Sequence, residues 1–113
     1  MSLDLFAGLR VRDFAEALKW YSLLLGEPTF FAHATEAVWT LAEGRSVYVE
    51  QDPDRAGHCA VTLFVDDLEA WVALIATRGL DPDDRETYSN GVRKAIYRDP
   101  DGNEIGFGGA PLD

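Results

Sequence analysis

The sequence predicts an α+β fold that consists of two tandem βαβββ repeats. One observation is internal similarity: Val11-Arg12-Asp13-Phe14 and Val65-Asp66-Asp67-Leu68 each open an apolar helical stretch, 54 positions apart. A second is that a segment with period-two alternation precedes each stretch, and three short strand-like segments follow it. A chain of 113 residues that repeats at about half its length is expected to contain two copies of one small unit. Each copy is too small to bury much surface alone, so the copies must pack against something.

The first repeat, residues 4–52, begins with a predicted strand over 4–12, where alternate residues share a face. Asp13 is placed to cap the following helix, and Glu16 completes a capping box. Gly26 is the expected end of that helix, and Pro28 reinforces the stop. Three strands are then predicted over residues 29–34, 36–42 and 45–51.

The second repeat, residues 57–110, has the same predicted order after a polar linker at 51–57. A strand over 58–65 leads to a helix that Asp67 caps and Gly79 ends. Asn90-Gly91 predicts a two-residue hairpin turn, and Asp99-Pro100-Asp101-Gly102 predicts a tight turn. The strands of this repeat are predicted near 83–89, 92–98 and 103–108, and the whole of 1–113 is expected to form one domain.

The composition and net charge of the chain indicate which classes of binding partner it does not suit. The net charge of −10 argues against nucleic acid and anionic membranes, which require clusters of Lys and Arg, and it tolerates a cationic or neutral small ligand. Cys59 is the single cysteine, so no intramolecular disulfide is possible and a cytoplasmic location is expected. No apolar run approaches the roughly 20 residues needed to cross a bilayer, and no secretory signal is visible.

The duplicated pattern resembles the vicinal oxygen chelate superfamily, which includes glyoxalase I, bleomycin-binding proteins, fosfomycin-resistance enzymes and extradiol dioxygenases. The resemblance covers nearly the whole chain and is specific for fold rather than function, because the superfamily hosts several chemistries and some pure binders. The residues that carry it are Val11-x-Asp13-Phe14, Trp20-Tyr21, Leu24-Leu25-Gly26, Phe64-Val65-Asp66-Asp67 and the closing Asp-Pro-Asp-Gly-Asn at 99–103.

The resemblance implies a curved mixed sheet with a concave cleft and the helices outside. It also implies a homodimer, in which a second subunit completes or borders the cleft. Enzymatic members hold a divalent metal in that cleft with His and Glu side chains from four strands.

Carried over one position at a time, the four metal-ligand positions hold poor donors in this chain. The first-strand position falls on Phe6, and the offset of 54 links it to Ala60 on the fifth strand. The last-strand position falls on Gly106, and the fourth-strand position falls on Tyr48 or, with a shift of two, on Glu50. Since Fe, Mn, Ni and Zn need converging lone-pair donors, no metal is expected at the usual site.

A displaced metal site is the alternative. His58 and Glu104 each lie two residues before an empty ligand position and therefore share its face of the strand. With Glu50 they would form a trio for Ni, Mn, Zn or Fe in a lyase, isomerase or dioxygenase. The simpler interpretation is that His58 begins a strand at the rim and Glu104 is a solvated turn residue.

We therefore expect a metal-free protein that binds an aromatic or cationic small molecule. Aromatic strand residues would stack on the ligand or form an apolar floor, while carboxylates would supply negative potential and His58 a hydrogen bond. The same aromatic residues can instead fill the cleft or a dimer interface in a structural protein. The predicted ligand-binding residues are Phe6, Trp39, Tyr48, Glu50, His58, Phe64, Tyr97 and Glu104.

Overall fold

A computed structural model describes residues 1–112 and has two βαβββ units, as the sequence predicts. The domain predicted over 1–113 ends at Asp113, which lies outside the described residues. The first unit contains β1 (Leu5–Val11), α1 (Phe14–Leu25), β2 (Phe30–His33), β3 (Glu36–Ala42) and β4 (Arg45–Gln51). The second contains β5 (Ala60–Phe64), α2 (Leu68–Thr77), β6 (Asp84–Thr87), β7 (Arg93–Arg98) and β8 (Glu104–Gly109).

The eight strands form two four-stranded sheets with matching topology. The first sheet has the order β1-β4-β3-β2 and the second has β5-β8-β7-β6. In each sheet the first strand pairs in parallel with the last, and the other pairs are antiparallel. Within residues 1–112 no strand pairing joins the two sheets, so β1 and β5 are both edge strands.

Both helices begin where the sequence predicts. The Asp13 carboxylate accepts a hydrogen bond from the backbone N–H of Glu16 at 3.2 Å. In the second unit the Asp67 carboxylate accepts one from the N–H of Ala70 at 3.0 Å. These bonds satisfy amide groups that the first turn of a helix leaves without partners. Within residues 1–112, neither helix has the length and hydropathy that a membrane-spanning segment needs.

The hairpin between β6 and β7 differs from the predicted two-residue turn. Its loop covers residues 88–92, and Gly91 has a φ of 88°. The Gly91 N–H donates to the carbonyl of Tyr88, and the Asn90 side chain accepts from the N–H of Val92. The asparagine and glycine therefore form a turn, but the loop around it is longer than the dipeptide alone predicts.

Each sheet has one face covered by helix and one open face. Residues on the helix-covered faces of both sheets belong to a single hydrophobic core, which joins the two units. The open face of the first sheet carries Phe6, Gly8, Arg10, Glu36, Val38, Ser46, Tyr48 and Glu50. The open face of the second sheet carries Ala60, Thr62, Phe64, Lys94, Ile96, Arg98, Glu104, Gly106 and Gly108.

Candidate functional site

The strand register locates the four positions that the resemblance assigns to metal ligands. Gly106 lies opposite Thr62, and Tyr48 lies opposite Gly8. Because Gly8 and Thr62 are related by the offset of 54, Tyr48 is the counterpart of Gly106. The register therefore assigns the fourth-strand position to Tyr48 and leaves Glu50 one step further along the same face.

These four positions do not fit a metal ion. Phe6 and Ala60 offer only hydrocarbon, and Gly106 has no side chain. Lys94 lies across Gly106, where an added Cβ would overlap its Cε atom. In the first sheet the ring of Tyr48 lies across Gly8 in the same way. Three of the positions thus hold no donor atom, and the fourth holds a phenol.

The displaced trio of Glu50, His58 and Glu104 does not converge among residues 1–112 of a single chain, and it stays a prediction. Glu50 and Glu104 belong to different sheets. The Glu104 carboxylate accepts from Arg98 Nε at 3.2 Å, and Glu50 forms an ion pair with Arg10 at 3.4 Å. Parity correctly relates Glu50 to Tyr48 and Glu104 to Gly106, but it carries no information about which strands are neighbours.

Among residues 1–112, one set of three potential metal ligands does converge: His33, Glu36 and Glu50. Their ligand atoms all lie within 4.8 Å of one another. Nε2 of His33 is 3.3 Å from a Glu36 oxygen and 3.5 Å from a Glu50 oxygen. Local sequence patterns do not indicate this cluster, because Glu50 comes from a different strand, β4.

Glu36 and Glu50 lie directly opposite each other on β3 and β4. Burial and the neighbouring Glu50 carboxylate raise the pKa of Glu36 above its ordinary value, and His33 partly offsets this. Like charges at opposed positions of a sheet repel each other. This corner of the open face therefore favours a bound proton or cation.

Trp39 and Tyr97, which were predicted to line the cleft, lie on the helix-covered faces instead. Trp39 is 2% exposed, and its indole N–H donates to the carbonyl of Gly26 at 2.8 Å. Tyr97 is 1% exposed and packs edge-on against Phe107, with ring centroids 5.7 Å apart. Neighbouring residues in a strand face opposite sides, and the pairing of Val38 with Tyr48 puts Val38 on the open face and Trp39 on the other.

Phe6 and Phe64 lie on the open faces, as predicted, and both are well exposed. Phe6 is 53% exposed on β1, and Phe64 is 67% exposed at the end of β5. The Phe64 ring lies against Gly108, which leaves room for it. His58 precedes β5 and is exposed, in keeping with a position at the rim.

A cavity of about 390 Å³ lies where the two units meet. It is lined mainly by apolar side chains from both units, among them Leu5, Leu41, Val61, Leu63 and Trp71. Of the predicted ligand-binding residues only Phe64 borders it. This cavity is therefore separate from the His33, Glu36 and Glu50 corner.

Comparison with known proteins identifies the family of this chain. The family model of the glyoxalase/bleomycin resistance protein/dioxygenase superfamily matches residues 2–107. The chain belongs to this superfamily. It is 55% identical to a glyoxalase/bleomycin resistance protein from Catenulispora acidiphila, with a TM-score of 0.93, and the match covers 97% of this chain and 100% of that one. No curated protein matches the sequence.

Two more distant structures share the fold of this superfamily member. A bleomycin-binding protein in complex with bleomycin is 18% identical, with a TM-score of 0.76 over 96% of this chain and 99% of that one. A bleomycin resistance determinant encoded on transposon Tn5 is 19% identical, with a TM-score of 0.78 over 98% and 100%. At these identities the likeness concerns the fold alone.

Proposed function

We propose that this protein binds a small organic molecule through the open faces of its sheets, without a metal at the four usual positions. The exposed rings of Phe6 and Phe64 carry this proposal. Large aromatic side chains that are exposed on the open faces of these edge strands are expected to be functional surface, since exposed apolar patches mark interaction sites. Stacking on such rings contributes about 0.5–1.5 kcal/mol per pair beyond the burial of area.

The charge on the open faces supports an aromatic ligand with a cationic group. Glu36 and Glu50 concentrate negative charge on the first sheet, although Arg10 offsets part of it. Glu104 contributes less than the sequence indicates, because Arg98 is paired with it. Tyr48 and His58 complete the proposed set, as a stacking or hydrogen-bonding phenol and as a hydrogen-bonding group at the rim.

We further propose that the protein acts as a homodimer. β1 and β5 are unpaired edges, and β5 consists of Ala, Val, Thr, Leu and Phe with no charged residue. An apolar, uncharged edge strand invites pairing with another chain. A second copy that covers these edges would also bring an open face of each subunit together. A cytoplasmic location for this dimer continues to rest on the single cysteine.

Bleomycin is a suitable first probe, because a protein of the same fold binds it. We propose to titrate bleomycin by calorimetry into the metal-depleted protein and into the variants F6A and F64A. Each truncation is expected to weaken binding by about tenfold, which corresponds to about 1.4 kcal/mol. If bleomycin does not bind, aromatic amines serve as the second set of probes.

Phe31→Ala is the matched control. Phe31 is 54% exposed, similar to Phe6, but it faces the helix side and packs edge-on against Phe14. The control is expected to bind the probe as the unmodified protein does. Equal affinities for F6A, F64A and the parent would contradict the assignment of the open faces, and so would the absence of binding to every aromatic probe.

A further inference from the structure

A β-bulge orients His33 toward two carboxylates. Phe31 pairs with Ala37 on the helix-covered face, and regular pairing would place His33 on that same face two residues later. The register shifts between Phe31 and His33, so His33 pairs with Glu36 and faces the open side. Bulges commonly re-aim one side chain at a functional site.

Two of the three distances between donor atoms match the spacing of ligands around one ion. Nitrogen and oxygen ligands lie about 2.0–2.2 Å from a tetrahedral zinc ion, which places neighbouring ligand atoms roughly 3.3–3.6 Å apart. The His33 nitrogen lies 3.3 Å from Glu36 and 3.5 Å from Glu50. A small ion can therefore enter between the His33 nitrogen and the two carboxylates with little movement of the side chains.

The surrounding groups hold two of the ligands in place. Arg10 contacts Oε1 of Glu50, whereas Oε2 is the oxygen that faces His33. Arg10 also donates to Asp52 at 2.9 Å, which offsets its positive charge. The backbone N–H and the hydroxyl of Thr35 lie 3.3 and 3.5 Å from Nδ1 of His33. The Thr35 N–H donates to Nδ1 in this structure, and metal binding at Nε2 would move the proton to Nδ1 and exchange that bond for one that Nδ1 donates to the Thr35 hydroxyl.

We propose that His33, Glu36 and Glu50 bind one divalent transition-metal ion of the zinc type on the open face of the first sheet. This site differs from the four usual positions at Phe6, Tyr48, Ala60 and Gly106. One imidazole and two carboxylates leave a fourth position for solvent or a ligand. The proposal shares Glu36 and Glu50 with the small-molecule function, but His33 belongs to this site alone, so H33A tests the metal site separately.

The test is a calorimetric titration of Zn²⁺ into the full chain without an affinity tag. We expect about one ion per chain, and a loss of at least about tenfold in affinity for each of H33A and E36Q. His58→Ala is the matched control, because His58 is the other histidine of the chain and lies outside the cluster. Its affinity for Zn²⁺ is expected to equal that of the parent.

A second measurement does not depend on the variants. Two histidines give two sets of imidazole proton resonances, and paramagnetic Co²⁺ should shift or broaden those of His33 before those of His58. Unchanged Zn²⁺ affinity in H33A and E36Q would overturn the proposal. Selective broadening of His58, or no zinc binding to the parent protein, would overturn it as well.

Discussion

The Tyr21 hydroxyl donates a buried hydrogen bond to the Asp99 carboxylate at 2.7 Å, across 78 residues of sequence. Tyr21 lies on α1 of the first unit, and Asp99 opens the turn after β7 of the second. The Asn103 side chain donates both to Asp99 and to the backbone carbonyl of Arg10 on β1. The closing Asp-Pro-Asp-Gly-Asn segment is thus a polar connection between the two units.

Replacing Tyr21 with Phe is expected to lower the free energy of unfolding by about 1.5–3 kcal/mol, the usual range for a hydrogen bond to a charged partner. Tyr97→Phe is the matched control, because the buried Tyr97 hydroxyl has no hydrogen-bond partner within the described residues. The control should leave stability unchanged or raise it slightly. Urea denaturation of the two variants measures the difference, and equal losses would contradict this role of Tyr21.

The same bond predicts a dependence on alkaline pH. Burial, and then the Asp99 carboxylate, raise the pKa of Tyr21 in the folded protein. Because the pKa is raised in the folded state, the neutral phenol makes its full contribution to stability below about pH 10, the pKa of an unfolded tyrosine. That contribution is lost as the pH rises further, since the unfolded chain then releases the proton more readily than the folded protein does. The difference in stability between parent and Y21F should therefore shrink above pH 10, by about 1.4 kcal/mol per pH unit. Denaturation at pH 8, 10 and 11 checks this, and a constant difference would count against it.

Asn103→Ala should be more damaging than the loss of one hydroxyl. The fully buried amide accepts from the N–H of Cys59 and donates to Asp99 and to the carbonyl of Arg10. Its removal leaves several buried polar groups without partners, at a cost of about 3 kcal/mol or more. Asn90→Ala is the control, since Asn90 is exposed and accepts one bond within its turn. A thermal melt in which both variants unfold together would exclude the proposed connection.

The sequence predicts most of the fold because helix caps, alternation and turns are local features. Asp13, Asp67 and the strand at residues 36–42 could be located from a few neighbouring residues each. The candidate site depends on relations between strands, which local patterns do not contain. The face on which Trp39 lies depends on how β3 pairs with β4. The face on which His33 lies depends on a β-bulge, which the alternation of residues in the sequence does not indicate.

A final prediction tests the placement of Tyr48 on the open face. Gly8 has no positive φ, so alanine is permitted there by the backbone and is slightly favourable in a strand. An added Cβ would nevertheless overlap the Tyr48 ring, and overpacking of this kind costs about 1–3 kcal/mol. Gly8→Ala is therefore expected to destabilise the protein by that amount.

The double variant G8A/Y48A decides the cause of that loss. If the Tyr48 ring lies over Gly8, truncation of Tyr48 removes the overlap, and adding G8A to Y48A costs nothing further. The coupling free energy between positions 8 and 48 then equals the whole loss of stability caused by G8A alone. A G8A penalty that persists in the Y48A background would mean that Tyr48 points elsewhere, and the assignment of the fourth-strand position to Tyr48 would no longer have support from packing.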